Sequence, residues 1–114
     1  MPKFAFDYDA ENDDLFIYRK DAKSKGSVEI DNLIIDFDSR GRITAIEFID
    51  ASRILFKQLK ITRSRLNQII ECKVEIMVKG NMLVILLLFV LSLTETLSHQ
   101  LIVPNIVKAS PALN

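Results

Sequence analysis

The sequence predicts an α+β fold: an antiparallel β-meander, two short helices, and a C-terminal antiparallel β-hairpin plus one strand. Three observations carry this. Apolar and polar side chains alternate through the first fifty residues, at the period of half-buried strands. Between residues 51 and 71 the apolar spacing becomes that of amphipathic helices, and from 73 alternation resumes around a Gly80-Asn81 turn. With 114 residues, 49% hydrophobic and 26% charged, one domain with a genuine core is expected.

Phe4, Phe6 and Tyr8 alternate with Ala5 and Asp7, giving a first strand; residues 15–19 give a second, and the polar loop Asp9-Ala10-Glu11-Asn12-Asp13 joins them as a hairpin. Leu33, Ile35 and Phe37 face one way and Ile34, Asp36 and Asp38 the other. Asp38-Ser39-Arg40-Gly41-Arg42 then supplies a turn, and residues 43–49 return as the paired strand. The meander thus occupies residues 3–50. Asp50 or Ser52 can cap a helix carrying Ile54, Leu55 and Leu59 on one side. Thr62 can cap a second, with Ile61 and Leu66 at the spacing of a hydrophobic staple and Leu66, Ile69 and Ile70 as its buried stripe. The C-terminal strands fall in 73–104: Val74, Ile76 and Val78 alternate with charged neighbours, Gly80-Asn81 turns the chain, and a last strand ends at Pro104. A frayed tail is expected over 105–114.

Eleven of the twelve residues 82–93 are apolar. A helix of that length spans about 18 Å against a hydrocarbon core of about 30 Å, so a buried strand rather than a membrane segment is predicted. Pairing through Gly80-Asn81 sets Lys79 opposite Met82, Val78 opposite Leu83, Ile76 opposite Ile85 and Val74 opposite Leu87. The other face then presents Val84, Leu86, Leu88 and Val90. Two short helices cover one side of such a strand only. Val84, Leu86, Leu88 and Val90 are therefore the expected interface of a homo-oligomer, a two-fold dimer in its simplest form, with the meander folding over that face as the alternative.

In the first half, Phe6-Asp7-Tyr8-Asp9-Ala10-Glu11-Asn12-Asp13-Asp14-Leu15-Phe16-Ile17 is followed by Ile34-Ile35-Asp36-Phe37-Asp38-Ser39-Arg40-Gly41-Arg42-Ile43 and then Ala45-Ile46-Glu47-Phe48-Ile49-Asp50-Ala51-Ser52. These three linked segments, within about residues 4–56, resemble the small prokaryotic proteins grouped as domain of unknown function 2283. Ala45 departs from the family's usual Gly before Ile-Glu. The resemblance implies a small β-rich prokaryotic domain with no assigned activity and no catalytic residues to carry over.

Charge separates along the chain although it sums to zero. Residues 1–50 hold twelve acids and seven bases, and residues 51–70 hold five bases and no acid. Asp7, Asp9, Glu11, Asp13 and Asp14 invite a calcium loop, but the sixth position from Asp7 is Asn12 rather than Gly and the twelfth is Tyr18 rather than Glu. Asp36, Asp38, Glu47 and Asp50 could pair as catalytic carboxylates, yet a chain of this size has little room for a substrate cleft. His99, the single histidine, is expected half-buried or at the surface, and Cys72, the single cysteine, as a buried inert thiol. No phosphate-binding glycine loop or esterase elbow is present. The expectation is a protein that is not an enzyme, with no cofactor and no metal. The N-terminus lacks the apolar stretch of a secretory signal, so a cytoplasmic location is expected.

The predicted role is an oligomerising or protein-binding module. The alternative is a nucleic-acid-binding regulator using the helix-turn-helix-like residues 54–70. In that reading Arg63, Arg65 and Asn67 would contact bases or phosphates from a recognition helix. Phe56 and Lys60 stand where the motif wants a small residue and a Gly.

Overall fold

The computed structural model describes residues 1–104; the tail expected over 105–114 lies outside the described residues. Alternation produces the first hairpin, β1 (Lys3–Asp9) with β2 (Asp14–Tyr18), whose Leu15 and Ile17 are fully buried. Strands β4 (Leu33–Phe37) and β5 (Ile43–Ile49) pair as predicted and bury Ile35, Phe37, Ile46 and Phe48 on the same side.

A simple meander does not form. An additional strand, β3 (Gly26–Ile30), pairs with β4 through the tight turn at Asp31-Asn32. Its weak alternation conceals it in the sequence: only Val28 and Ile30 pack on the core. Strand β5 also pairs with β2, Ile46 opposite Ile17, so the order is β3-β4-β5-β2-β1, a Greek-key arrangement. Residues 19–25 make this possible by crossing to the far edge. They are tied down by Arg19 N–H donating to the Thr44 carbonyl (2.8 Å) and by a Ser24–Thr44 hydroxyl bond (2.7 Å).

The C-terminal strands are β6 (Glu71–Lys79), β7 (Met82–Val90) and β8 (Thr96–Pro104). The hairpin has the expected register, Lys79 opposite Met82 and Val74 opposite Leu87, and β8 pairs along the other edge of β7. The apolar run is thus a strand flanked on both sides, and among the described residues no helix is long and apolar enough to cross a membrane.

Strand β1 joins the two groups of strands by dividing its length. Lys3 and Phe4 pair with β6, whereas residues 5–9 pair with β2. This hand-over lets the eight-stranded antiparallel sheet curl into a half-barrel. Its last strand comes round to the first ones: Leu101 and Val103 of β8 share a cavity wall with Leu33 and Phe48.

Two helices fill the concave side. Helix α1 (Ala51–Leu59) buries Ala51 and Leu55, and α2 (Arg63–Leu66) buries Leu66. Thr62 caps α2 as expected, its hydroxyl accepting from Arg65 N–H. The stripe proposed for α2 is shorter than expected: Leu66 and Ile69 are buried, but Ile70 is 61% exposed. The helix ends at Leu66, and Ile70 lies beyond it, immediately before β6, its N–H bonded to the Val90 carbonyl.

The cap of α1 differs from expectation in an informative way. Asp50 stands at the N-cap with φ 55° and no side-chain capping bond. The capping carboxylate comes instead from Asp13, in the β1–β2 turn. It accepts from Ser52 N–H (3.1 and 3.2 Å), from the Ser52 hydroxyl (2.7 Å) and from the Tyr8 phenol (2.6 Å). The Asp13 carbonyl also accepts from Ala51 N–H at 2.8 Å. Burial alone would raise the Asp13 carboxyl, but the Tyr8 and Ser52 bonds outweigh it and hold the group below the usual carboxylate range. Burial, then the bond to Asp13, pushes the Tyr8 phenol up.

Asp13→Ala strips the cap and leaves buried donors unpaired, and is expected to cost about 3 kcal/mol; Ser52→Ala is expected to cost about 1 kcal/mol. Both are read from urea midpoints at neutral pH. Because the folded Asp13 carboxyl is depressed, its contribution is complete above the ordinary value of 3.8 and is lost as pH falls through the folded one. Asp13→Asn should therefore show a shallower loss of stability on the acid side.

Candidate functional site

Side chains alternate across β6, β7 and β8, so their convex face can be read row by row from the register. One row is Met77, Val84 and Ile102; the next rows along β7 hold Leu86 between Glu75 and Gln100, Leu88 between Lys73 and Ser98, and Val90 between Glu71 and Thr96. Leu86, Leu88 and Val90 are half-buried, while Met77 and Ile102 are 40% and 58% exposed. Val84 is the exception among the four expected interface residues. It is only 8% exposed although it stands outside the core cluster, because Met77 and Ile102 flank it on both sides. Both helices pack on the opposite, concave side, so this convex face carries an apolar bar and stem edged by charged and polar groups.

The basic segment is arranged differently from a recognition element. Helix α2 has four residues, about 6 Å of helix. Arg63 Nε lies 3.6 Å from Asp13 Oδ2, Arg65 pairs with Glu95, and Asn67 is the C-cap, its N–H returning to the Arg63 and Arg65 carbonyls. The two arginines stitch α2 to the β1–β2 turn and to the β7–β8 loop.

The acidic residues sort largely into turn chemistry. Asp13, Asp21, Asp31 and Asp50 all have positive φ, a region that Asp tolerates better than most residues. Asp9 accepts from Glu11 N–H and Asn12 N–H, and Asp38 from Arg40 N–H and Arg42 N–H. Asp38 and Asp50 also pair with Arg42 and Arg53. Of the four carboxylates considered as a catalytic set, Glu47 has a close acidic partner, and it is Asp14, a diagonal neighbour across β2 and β5. The neighbouring Asp14 carboxyl, burial, and the charge of Asp36 push the Glu47 carboxyl from 4.5 up to about 7. Only strand register, which the sequence left open, brings Asp14 and Glu47 together.

His99 is buried at 3% exposure, not half-buried or at the surface as expected. Leu97, Leu101 and Val103 share its alternation phase on β8 and all point inward, which is the sequence signal that could have placed it. Its ring meets Phe48 edge-on with centroids 6.3 Å apart. Neither ring nitrogen has a partner among the described residues, and burial pulls its pKa down, so the imidazole is neutral. Cys72 lies within β6 rather than before it; its thiol is buried, and desolvation pushes it up to about 12.

The segment holding Tyr8, Asp13 and Ser52 is also the one that known proteins share. Residues 5–52 match the family described as protein of unknown function (DUF2283). An uncharacterized protein of Methanocaldococcus jannaschii is 44% identical over 52 residues, 46% of this chain and 45% of that protein. A Methanosarcina mazei protein, named provisionally as a hypoxanthine phosphoribosyltransferase, is 43% identical over 47 residues, 41% of this chain and 38% of that protein. The chain thus spans less than half the length of each relative. No solved structure matches the chain. The DUF2283 match begins in β1 and ends at Ser52, so it covers the Greek-key strands and the junction that caps α1.

A raised carboxyl has a defined effect on stability. The Glu47 contribution is complete below 4.5 and is lost as pH rises through about 7, since ionisation is harder in the folded state. Glu47→Gln is expected to remove this decline: the difference in thermal midpoint between wild type and variant shifts against the wild type as pH rises from 4.5 to 8, while the buried His99 acts equally in both.

Proposed function

We propose that the protein is a non-catalytic oligomerising module, a cytoplasmic homodimer closed through the convex face of β6, β7 and β8. The observation that carries this reading is the apolar row Leu86, Leu88 and Val90 on a central strand, continued by the exposed Met77 and Ile102. Neither helix reaches that face, and a contiguous apolar patch of this kind on a small protein marks an interaction surface. A second copy matches it because a two-fold axis sets the same row against itself, excluding water along its length. Val84 lies beneath this surface instead of at its centre. The bar Met77–Ile102 takes its place in the interface.

The nucleic-acid reading has less beneath it. Arg63 and Arg65 are engaged within the chain, and a single turn of helix offers few positions to a groove. The phosphoribosyltransferase name of one relative belongs to a protein of which the match spans 38%, and the shared segment holds strands and a helix cap.

Light scattering behind size exclusion, without detergent, is expected to return a mass of twice 13.0 kDa. Leu86→Glu or Leu88→Glu is expected to return a folded monomer, because neither side chain belongs to the core cluster. A wild-type monomer across the micromolar range overturns the proposal, and a gel shift at low salt lost in Arg63→Ala/Arg65→Ala would favour the nucleic-acid reading instead.

A further inference from the structure

The concave wall of β6 is covered at one end and bare at the other. Cys72, Val74, Ile76 and Val78 all point inward, yet their exposure runs 0%, 1%, 36% and 63%. The helices fill the half-barrel where Cys72 and Val74 stand; towards the β6–β7 turn none of the described residues fills its interior. The result is a cavity of about 480 Å³ with Phe4, Ile43, Ile76, Val78 and Leu83 in its wall and Arg19 and Arg42 at its lining. That volume lies within the range of small-ligand sites, roughly 300–1,000 Å³.

A second depression shares Arg19 and Arg42 with this cavity and adds Lys20, Lys23 and Lys25. Its acids are Asp21 and Asp38, and Asp38 is already bonded to Arg42 at 2.8 Å. Arg19 has no ion pair among the described residues and is exposed. An apolar hollow thus opens directly onto a shelf with an excess of positive charge.

We propose that this end of the half-barrel binds a single-chain amphiphile with an anionic head, a carboxylate or a phosphate. The chain occupies the cavity against Ile76, Val78 and Leu83, and the head meets Arg19 on the basic shelf. Each half of the ligand answers one observation: the chain removes exposed inward-facing apolar surface from water, and the anion supplies the partner that Arg19 lacks. The site lies on the opposite side of the sheet from the convex interface and does not depend on it.

Isothermal titration calorimetry of the full chain with decanoate, decyl phosphate and uncharged decanol tests this. Saturable binding of one anion per protomer is expected, with decanol about tenfold weaker, and the stronger of the two anions identifies the head group. Arg19→Gln, at an exposed position, should weaken the anion about tenfold and leave decanol unchanged, whereas Val78→Trp should block all three by filling the cavity. Circular dichroism confirms that both variants fold. No saturable binding of either anion, equal affinity for decanol and the anions, or indifference to both substitutions overturns the proposal.

Discussion

A buried carboxylate organises the fold. Asp13 is 2% exposed, and an ionised group so placed is unfavourable unless its oxygens are fully engaged. Here they take hydrogen bonds from Tyr8 on β1 and from both the backbone and the hydroxyl of Ser52, with Arg63 of α2 nearby. One side chain thereby ties together the first hairpin, the start of α1 and the single turn of α2. With the N-terminus of α1 held there, Ala51 and Leu55 are directed into the concave side of the sheet, where Leu15, Ile46 and Phe48 wait. The shared DUF2283 segment ends at Ser52, the residue that completes this junction.

The second constraint is the division of β1 between two partners. A strand that gives two residues to β6 and five to β2 joins the two groups of strands into one eight-stranded sheet. It also separates two surfaces of different character on β6–β8. The convex side shows an apolar row between polar edges, and the concave side is packed at one end and hollow at the other. Acidic excess in the first fifty residues has a structural origin in the same region: six aspartates there either occupy positive-φ turns or accept backbone N–H groups within turns.

Local pattern determined much of this protein in advance. The strand periods of residues 4–8, 15–19, 33–37 and 43–49, the Gly80-Asn81 hairpin with its register, the Thr62 cap and the burial of Cys72 all follow from neighbours a few residues apart, whose chemistry is legible along the chain. The pairing of β5 with β2, the hand-over in β1 and the strand β3 were decided by tertiary structure, because nothing local specifies which edge a strand will join once its turn permits more than one. So too were the long-range partners: Asp13 with Ser52, Asp14 with Glu47, and His99 against Phe48. A side chain's alternation phase says which face it takes. Only the folded sheet says whether that face meets water, a helix or another strand's carboxylate.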